Sequence, residues 1–311
     1  MSAARATCGP VGFAEYALPG SELLGKKIVA EFKKNPDYKA VIMENHGVVV
    51  AGDDIADAYQ EGVMRKSLSL TILNAKTLGE PKYLSEEQIL QHEKAVNVPF
   101  QHFMNVTHPS DERAIRAEIC KIVRRACSQG LMCSSYGTAS VRWRDNDFLI
   151  TPSSMQRWDL DPEDIVQVKD GMIEAGRSVA LHYEIYRRNP KVNSIILTQS
   201  PALMGFCTTG AKFDVRTIPE SWIFLQDIPI FPFGSQYNEH LTELADEFKN
   251  RPCVMLENDS VVVTGDQLIN TFDRLEVADF SARSLILAAP LGKLNPITDE
   301  EIEELRVAFH V

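Results

Sequence analysis

A chain of 311 residues has room for one large or two ordinary domains, and its balance of 44% hydrophobic to 24% charged residues is that of a soluble globular protein. No run of about 18 apolar residues occurs and the first twenty residues lack a signal-peptide core, which excludes a membrane span and points to the cytoplasm. A net charge of -11 argues against a nucleic-acid partner, and six scattered cysteines without a C-x-x-C pair read as reduced, mostly buried thiols.

In chain order, Leu24, Ile28 and Phe32 give Leu23 to Phe32 a helical spacing. Val41 to Met43 and Val48 to Ala51 are short β-branched strands around a Glu44-Asn45-His46-Gly47 turn. Asp53-Asp54 caps a helix whose apolar stripe is Ile55, Tyr59 and Val63. A connector without strong periodicity is expected from about Leu90 to His108. After Ser110 a helix carries Ile115, Ile119, Ile122 and Ala126 on one face and ends at Gly130. Strands follow at Thr138 to Trp143, Phe148 to Thr151 and Ile165 to Val168, then a helix from Ser178 to Arg188 and a buried strand from Ser194 to Thr198. This order predicts an α/β fold with helices on both faces of a mainly antiparallel sheet.

Val41 to Asp53 (VIMENHGVVVAGD) returns 213 residues later at Val254 to Asp266 (VMLENDSVVVTGD), with eight of thirteen positions identical. Leu84 to Ile89 likewise answers to Ile297 to Ile302. So long a period means two related domains. The expected division is 1–108, the C-terminal half of a first copy plus connector, and 109–311, a complete second copy. The missing half of the first copy would lie before Met1, and a half-domain would expose Val41 and Val48 to Val50. His46 in the first copy is Asp259 in the second.

Few residues announce chemistry by themselves. His46 reads either as a zinc ligand or as a polar turn histidine, and Tyr16 either as a phenolic acid or as a loop tyrosine. Gly137 to Arg142 and Thr151-Pro152-Ser153-Ser154 are small, hydroxyl-rich stretches that suit phosphate or ordinary hairpin turns equally. His182 reads as a satisfied helix histidine. No Walker A loop, G-x-G-x-x-G, G-x-S-x-G or H-E-x-x-H occurs.

Six segments in order nevertheless resemble the class II aldolase/adducin family over nearly the whole chain. They are Gly137 to Arg142, Ile150 to Ser154, His182, Ser200-Pro201, Pro229 with Gly234-Ser235, and Asn258. The resemblance implies a three-layer fold with a central, mainly antiparallel sheet. It also implies zinc held by three histidines, which polarises a phosphorylated sugar for aldol cleavage or 4-epimerisation, and a glutamate as acid or base.

Carried over by position, the complete copy has Leu197, Gln199 and Asp259 where the family has its histidines. Ser178 stands for the glutamate and Ile230 for a tyrosine. Gly137, Thr138, Thr151, Ser153 and Ser154 hold the phosphate-loop positions, with Thr138 and Ser154 as departures. Gly176 and Arg177 replace paired serines; Arg177 reads as an anion partner or as a surface charge. In the first copy, Asn45-His46-Gly47 keeps the third zinc histidine and Tyr16 matches a tyrosine that reaches a neighbouring subunit's site. The expectation is a family member that is incomplete or inactive as it stands, with no zinc in the complete domain. The alternative is a non-catalytic, adducin-like oligomer scaffold. A homo-oligomer is expected either way, without nucleic-acid or membrane partners.

Overall fold

The computed structural model describes residues 8–96, 107–145, 147–153, 155–169 and 177–310. They form two compact units, Met1–Ser69 and Leu70–Val311. The sequence-based division at 108 follows the repeat, whereas the packing divides inside a long helix.

The first unit holds β1 (Val11–Ala14), α1 (Glu22–Lys34), β2 (Ala40–Met43), β3 (Gly47–Val50) and the start of α2 (Ile55–Leu78). The Ser21 side chain accepts the Leu24 N–H and so caps α1, while Glu22 and Lys33-Lys34 complement its dipole. Leu24 and Ile28 of α1 pack with Ala17, Met43 and Val49. β1 runs parallel to β2, and β2 antiparallel to β3. Asn45 takes φ 54° in the β2–β3 turn, a left-handed conformation that Asn tolerates.

Two expectations are corrected here. Val41 is fully buried, because it shares a strand face with Met43. Ile42 and Val48 face outward, and Val49 and Val50 are half-buried. On α2, Ile55 and Tyr59 are exposed, and Glu61, Met64, Ser67, Thr71 and Ala75 form the buried stripe. Glu61 can be buried because Lys39 lies 3.0 Å and Arg65 3.5 Å from its carboxylate. A charged residue that opens a buried stripe is invisible to a hydrophobic pattern.

The second unit adds α3 (Glu86–Val96), α4 (Ser110–Ser128), β4 (Thr138–Arg144), β5 (Asp147–Ile150), β6 (Val166–Val168) and α5 (Arg177–Arg188). Then come β7 (Ser194–Thr198), α6 (Pro201–Thr209), α7 (Pro219–Leu225), β8 (Ile230–Phe231) and α8 (Leu241–Glu247). β9 (Cys253–Leu256), β10 (Ser260–Gly265), α9 (Leu268–Ala288) and α10 (Asp299–Phe309) complete it. Its seven strands lie in the order β6-β5-β4-β7-β10-β9-β8, antiparallel except for β8 with β9.

On one face, Val179, Leu181 and Ile185 of α5 and Leu244 and Ala245 of α8 pack on Ile195, Leu197, Val254 and Val262. The opposite face carries α4, α6 and α9. All five residues of β7 are buried, as a central strand covered on both faces requires. Among the described residues no helix is long and apolar enough to cross a membrane, and all six cysteines are free thiols.

The backbone repeats at the sequence spacing of 213. Met43↔Gly47 in β2–β3 matches Leu256↔Ser260 in β9–β10, and Asn45 and Asn258 both have φ 54°. α2 and α9 begin at equivalent positions, as do α3 and α10. The connector expected from about Leu90 is therefore helical as far as Val96, in a helix that starts at Glu86. Its start is fixed by a capping box, in which Ser85 and Gln88 exchange side-chain bonds to backbone N–H groups as Thr298 and Glu301 do. Residues 97–106 of that connector lie outside the described residues.

Candidate functional site

Strand register gathers the candidate residues of the second unit at one end of its sheet. Thr138 opens β4 opposite Leu197, Ser140 faces Ile150 at the end of β5, Thr198 faces Val261, and Phe231 runs beside Leu256. The segments around Gly137, Thr151–Ser153, Gln199, Gly234 and Asn258-Asp259 thus emerge together. Gly137 has φ +88°, and a Cβ there would meet Met132 Cγ at 2.8 Å and the Leu197 carbonyl at 3.2 Å. Only glycine permits this entry into β4.

The hydroxyls near Gly137 already have partners. Thr151 Oγ1 accepts the Ala139 N–H, and Thr138 Oγ1 lies 3.0 Å from His182 Nε2. Ser140 Oγ stands 2.7 Å from both His182 Nδ1 and the Tyr186 hydroxyl. Burial lowers the His182 pKa to about 3, so the ring is neutral and acts as a fixed hydrogen-bonding block beneath β4. The expected strand from Thr138 to Trp143 is β4, so of the hydroxyl-rich stretch Gly137 to Arg142 only Gly137 lies in the loop before it. Ser153 is exposed; Ser154 and Gly176 lie outside the described residues, as does the Arg177 side chain.

Sequence reasoning missed Arg157. It is buried, and its guanidinium donates to the Gly137 carbonyl at 2.7 Å and the Met155 carbonyl at 2.9 Å, tying the two loops together. Burial lowers its pKa to about 10. An arginine satisfied by carbonyls rather than by a carboxylate leaves no charge-pair signal in the sequence.

At the positions that the resemblance assigns to histidines, Leu197 packs within the aliphatic core on the α5–α8 face. Gln199 Nε2 donates to the Asp259 backbone carbonyl at 2.7 Å, and Asp259 Oδ1 accepts from Ser260 Oγ at 2.8 Å. Gln199 Oε1, Asn258 Oδ1 and both amide atoms of Gln236 are buried without a hydrogen-bond partner among the described residues. Ser178 is half-buried at the start of α5, and Ile230 is half-buried in β8.

In the first unit, Tyr16 follows β1 and His46 follows its parallel neighbour β2, so both lie at the same sheet end. Glu44 links them: its carboxylate accepts the Tyr16 N–H at 2.8 Å and its N–H donates to the Ala14 carbonyl. Both side chains are exposed.

A family model described as Class II Aldolase and Adducin N-terminal domain matches residues 1–68 and 117–286. The chain belongs to this family. Among its relatives, the L-fuculose phosphate aldolase of Methanocaldococcus jannaschii is 29% identical over 178 residues, covering 55% of this chain and 96% of that protein. The 3-oxo-tetronate 4-phosphate decarboxylase of Pectobacterium atrosepticum is 26% identical over 209 residues, covering 63% and 94%. The crystal structure of YgbL from Escherichia coli superposes with a TM-score of 0.58 at 20% identity, covering 63% of this chain and all of that one. An L-fuculose 1-phosphate aldolase structure gives 0.57 at 19%, covering 66% and 98%. The three-layer class II aldolase fold is thereby established, with its mainly antiparallel sheet between helices.

The family is generally zinc-dependent, and the second unit's donor set does not fit zinc. Leu197 has no lone pair, the Gln199 amide nitrogen is spent on a backbone carbonyl, and Asp259 is a single carboxylate where three or four strong donors are needed. Among the described residues no group of three or more His, Cys, Asp or Glu is placed to hold a metal, and this includes the surroundings of His46.

Proposed function

We propose that this chain derives from a zinc-dependent enzyme that cleaved a phosphorylated sugar, and that its complete domain, 109–311, no longer performs that reaction. One observation carries the reading. Where the resemblance places three histidines, a core leucine, an amide bonded to Asp259's own carbonyl and a lone carboxylate stand instead. The Ser178 hydroxyl in the glutamate's place cannot serve as a base near neutral pH. Relatives named as an aldolase and as a decarboxylase, both acting on phosphorylated compounds, support a sugar phosphate as the ancestral substrate.

Residues 1–108 are read as the C-terminal half of a first copy, supported by the recurring hairpin register and the paired left-handed asparagines. His46 and Tyr16 are there the retained zinc ligand and proton donor of the parent site, and Glu44 holds their two loops together. Gly137, Thr151 and Ser153 are what remains of the phosphate subsite. The reading includes a cytoplasmic protein, supported by six free thiols, that assembles as a homo-oligomer.

A retro-aldol assay on ketose 1-phosphates, run with added zinc, tests this. The expected result is no cleavage above the uncatalysed rate. Zinc-dependent turnover that Asp259→Ala abolishes would overturn the reading.

A further inference from the structure

Residues 79–96 of the second unit touch the sheet end where its candidate residues emerge at two places. At the first, the Lys82 N–H donates to the Thr208 carbonyl at 2.8 Å and Lys82 Nζ donates to Glu257 Oε1 at 3.0 Å, next to Asn258 in the β9–β10 turn. At the second, Gln91 of α3 stands against Gly234: a Cβ there would come within 3.3 Å of the Gln91 amide nitrogen and 3.5 Å of its oxygen. Gly234 leads into Ser235 and Gln236, so the segment bridges the turns that carry Gln236 and Asn258. Both side chains are buried, 1% and 3% exposed. The two amide atoms of Gln236 and Asn258 Oδ1 have no hydrogen-bond partner among the described residues.

The attachment is thin and mostly polar. Of residues 81–92 only His92 is buried. The Lys82–Glu257 pair is partly exposed, and an ion pair in that setting contributes little. The counterpart helix α10 is held more firmly: Ile302 is buried, Arg306 lies over the Trp222 ring, and the Ile297 N–H donates to the Arg216 carbonyl. Ile89, which answers to Ile302, is only half-buried. A segment with so few buried apolar contacts opens at a lower free energy than core strands do. The wholly buried β7 marks the other end of that scale.

We propose that residues 79–96 are a strap that lifts from this sheet end without unfolding the domain and so controls access to the Gln236 and Asn258 amides. Docked, the strap keeps these groups from solvent and leaves three polar atoms unbonded, which itself favours opening. Lifted, it lets an uncharged, hydrogen-bonding ligand reach them, because the groups it uncovers are neutral amides. The inference concerns access and stands apart from whether the domain binds zinc.

Native-state hydrogen exchange of the full chain, read by mass spectrometry in sub-denaturing urea, tests this. The amides of 85–92, 235–237 and 258–259 are expected to exchange together, about tenfold or more faster than those of β7. Lys82→Glu sets a like charge against Glu257 and should speed all three segments by about fivefold with β7 unchanged, whereas Lys82→Arg should exchange as the wild type does. Exchange of the three segments only together with β7, in global unfolding, overturns the proposal. So does a Lys82→Glu chain in which 85–92 speeds up while 235–237 and 258–259 do not, since the segment would then cover nothing. Zinc-dependent turnover by the complete domain would overturn the functional reading and leave these exchange rates as they are.

Discussion

Gln199 and Asp259 are tied by neutral groups: the Gln199 amide donates to the Asp259 carbonyl, and the Ser260 hydroxyl donates to the Asp259 carboxylate. Changing Leu197, Gln199 and Asp259 together to histidine should let the domain bind one zinc per chain, read by isothermal titration calorimetry, whereas the wild type binds none. The same change places an imidazole in an aliphatic core, so thermal stability without metal should fall by about 2 kcal/mol. Gly137→Ala would be strained at φ +88° and crowded by Met132 and the Leu197 carbonyl, and should cost about 1–3 kcal/mol in urea unfolding.

His182 offers a test by pH. Its folded pKa, about 3, lies below the unfolded value of 6.5, so the folded state binds fewer protons in between. Its contribution is fully present above pH 6.5 and is lost as the pH falls towards 3, with a slope of about 1.4 kcal/mol per pH unit. Comparing urea midpoints between pH 5 and 7, His182→Gln should lack the part of the slope that the wild type shows. Equal slopes would mean that the ring is not held neutral.

At the scale of elements, alternation decides which side chains matter. Val41→Ala removes a fully buried side chain and should cost about 2 kcal/mol, whereas Ile42→Ala next to it should change stability by less than about 0.5 kcal/mol. Chemical denaturation of the two variants reads the difference.

The hairpins were legible because Glu-Asn turns sit between an apolar run and a run of three valines, and β7 because its three aliphatic residues between Ser194 and Thr198 have no polar break. α3 was not, since an eleven-residue polar helix with few apolar positions has no stripe to detect. Its signal lay in the Ser85–Gln88 capping pair and in the repeat. The α2 stripe was misread because Glu61 is buried by two nearby cations, a fact of tertiary structure. The residue types at Leu197, Gln199 and Asp259, which the resemblance sets against histidines, were legible directly. Arg157 was not, because backbone carbonyls that satisfy an arginine carry no sequence identity.

Across the whole molecule, one spacing of 213 residues orders strands, turns and helix starts in both units. The two hairpins nonetheless differ in their turns: His46 stands in one and Asp259 in the other. The most direct measurement is anomalous diffraction at the zinc edge from crystals of the full chain grown with zinc. The prediction is no anomalous peak within bonding distance of Gln199 or Asp259; a peak there at full occupancy would contradict the account.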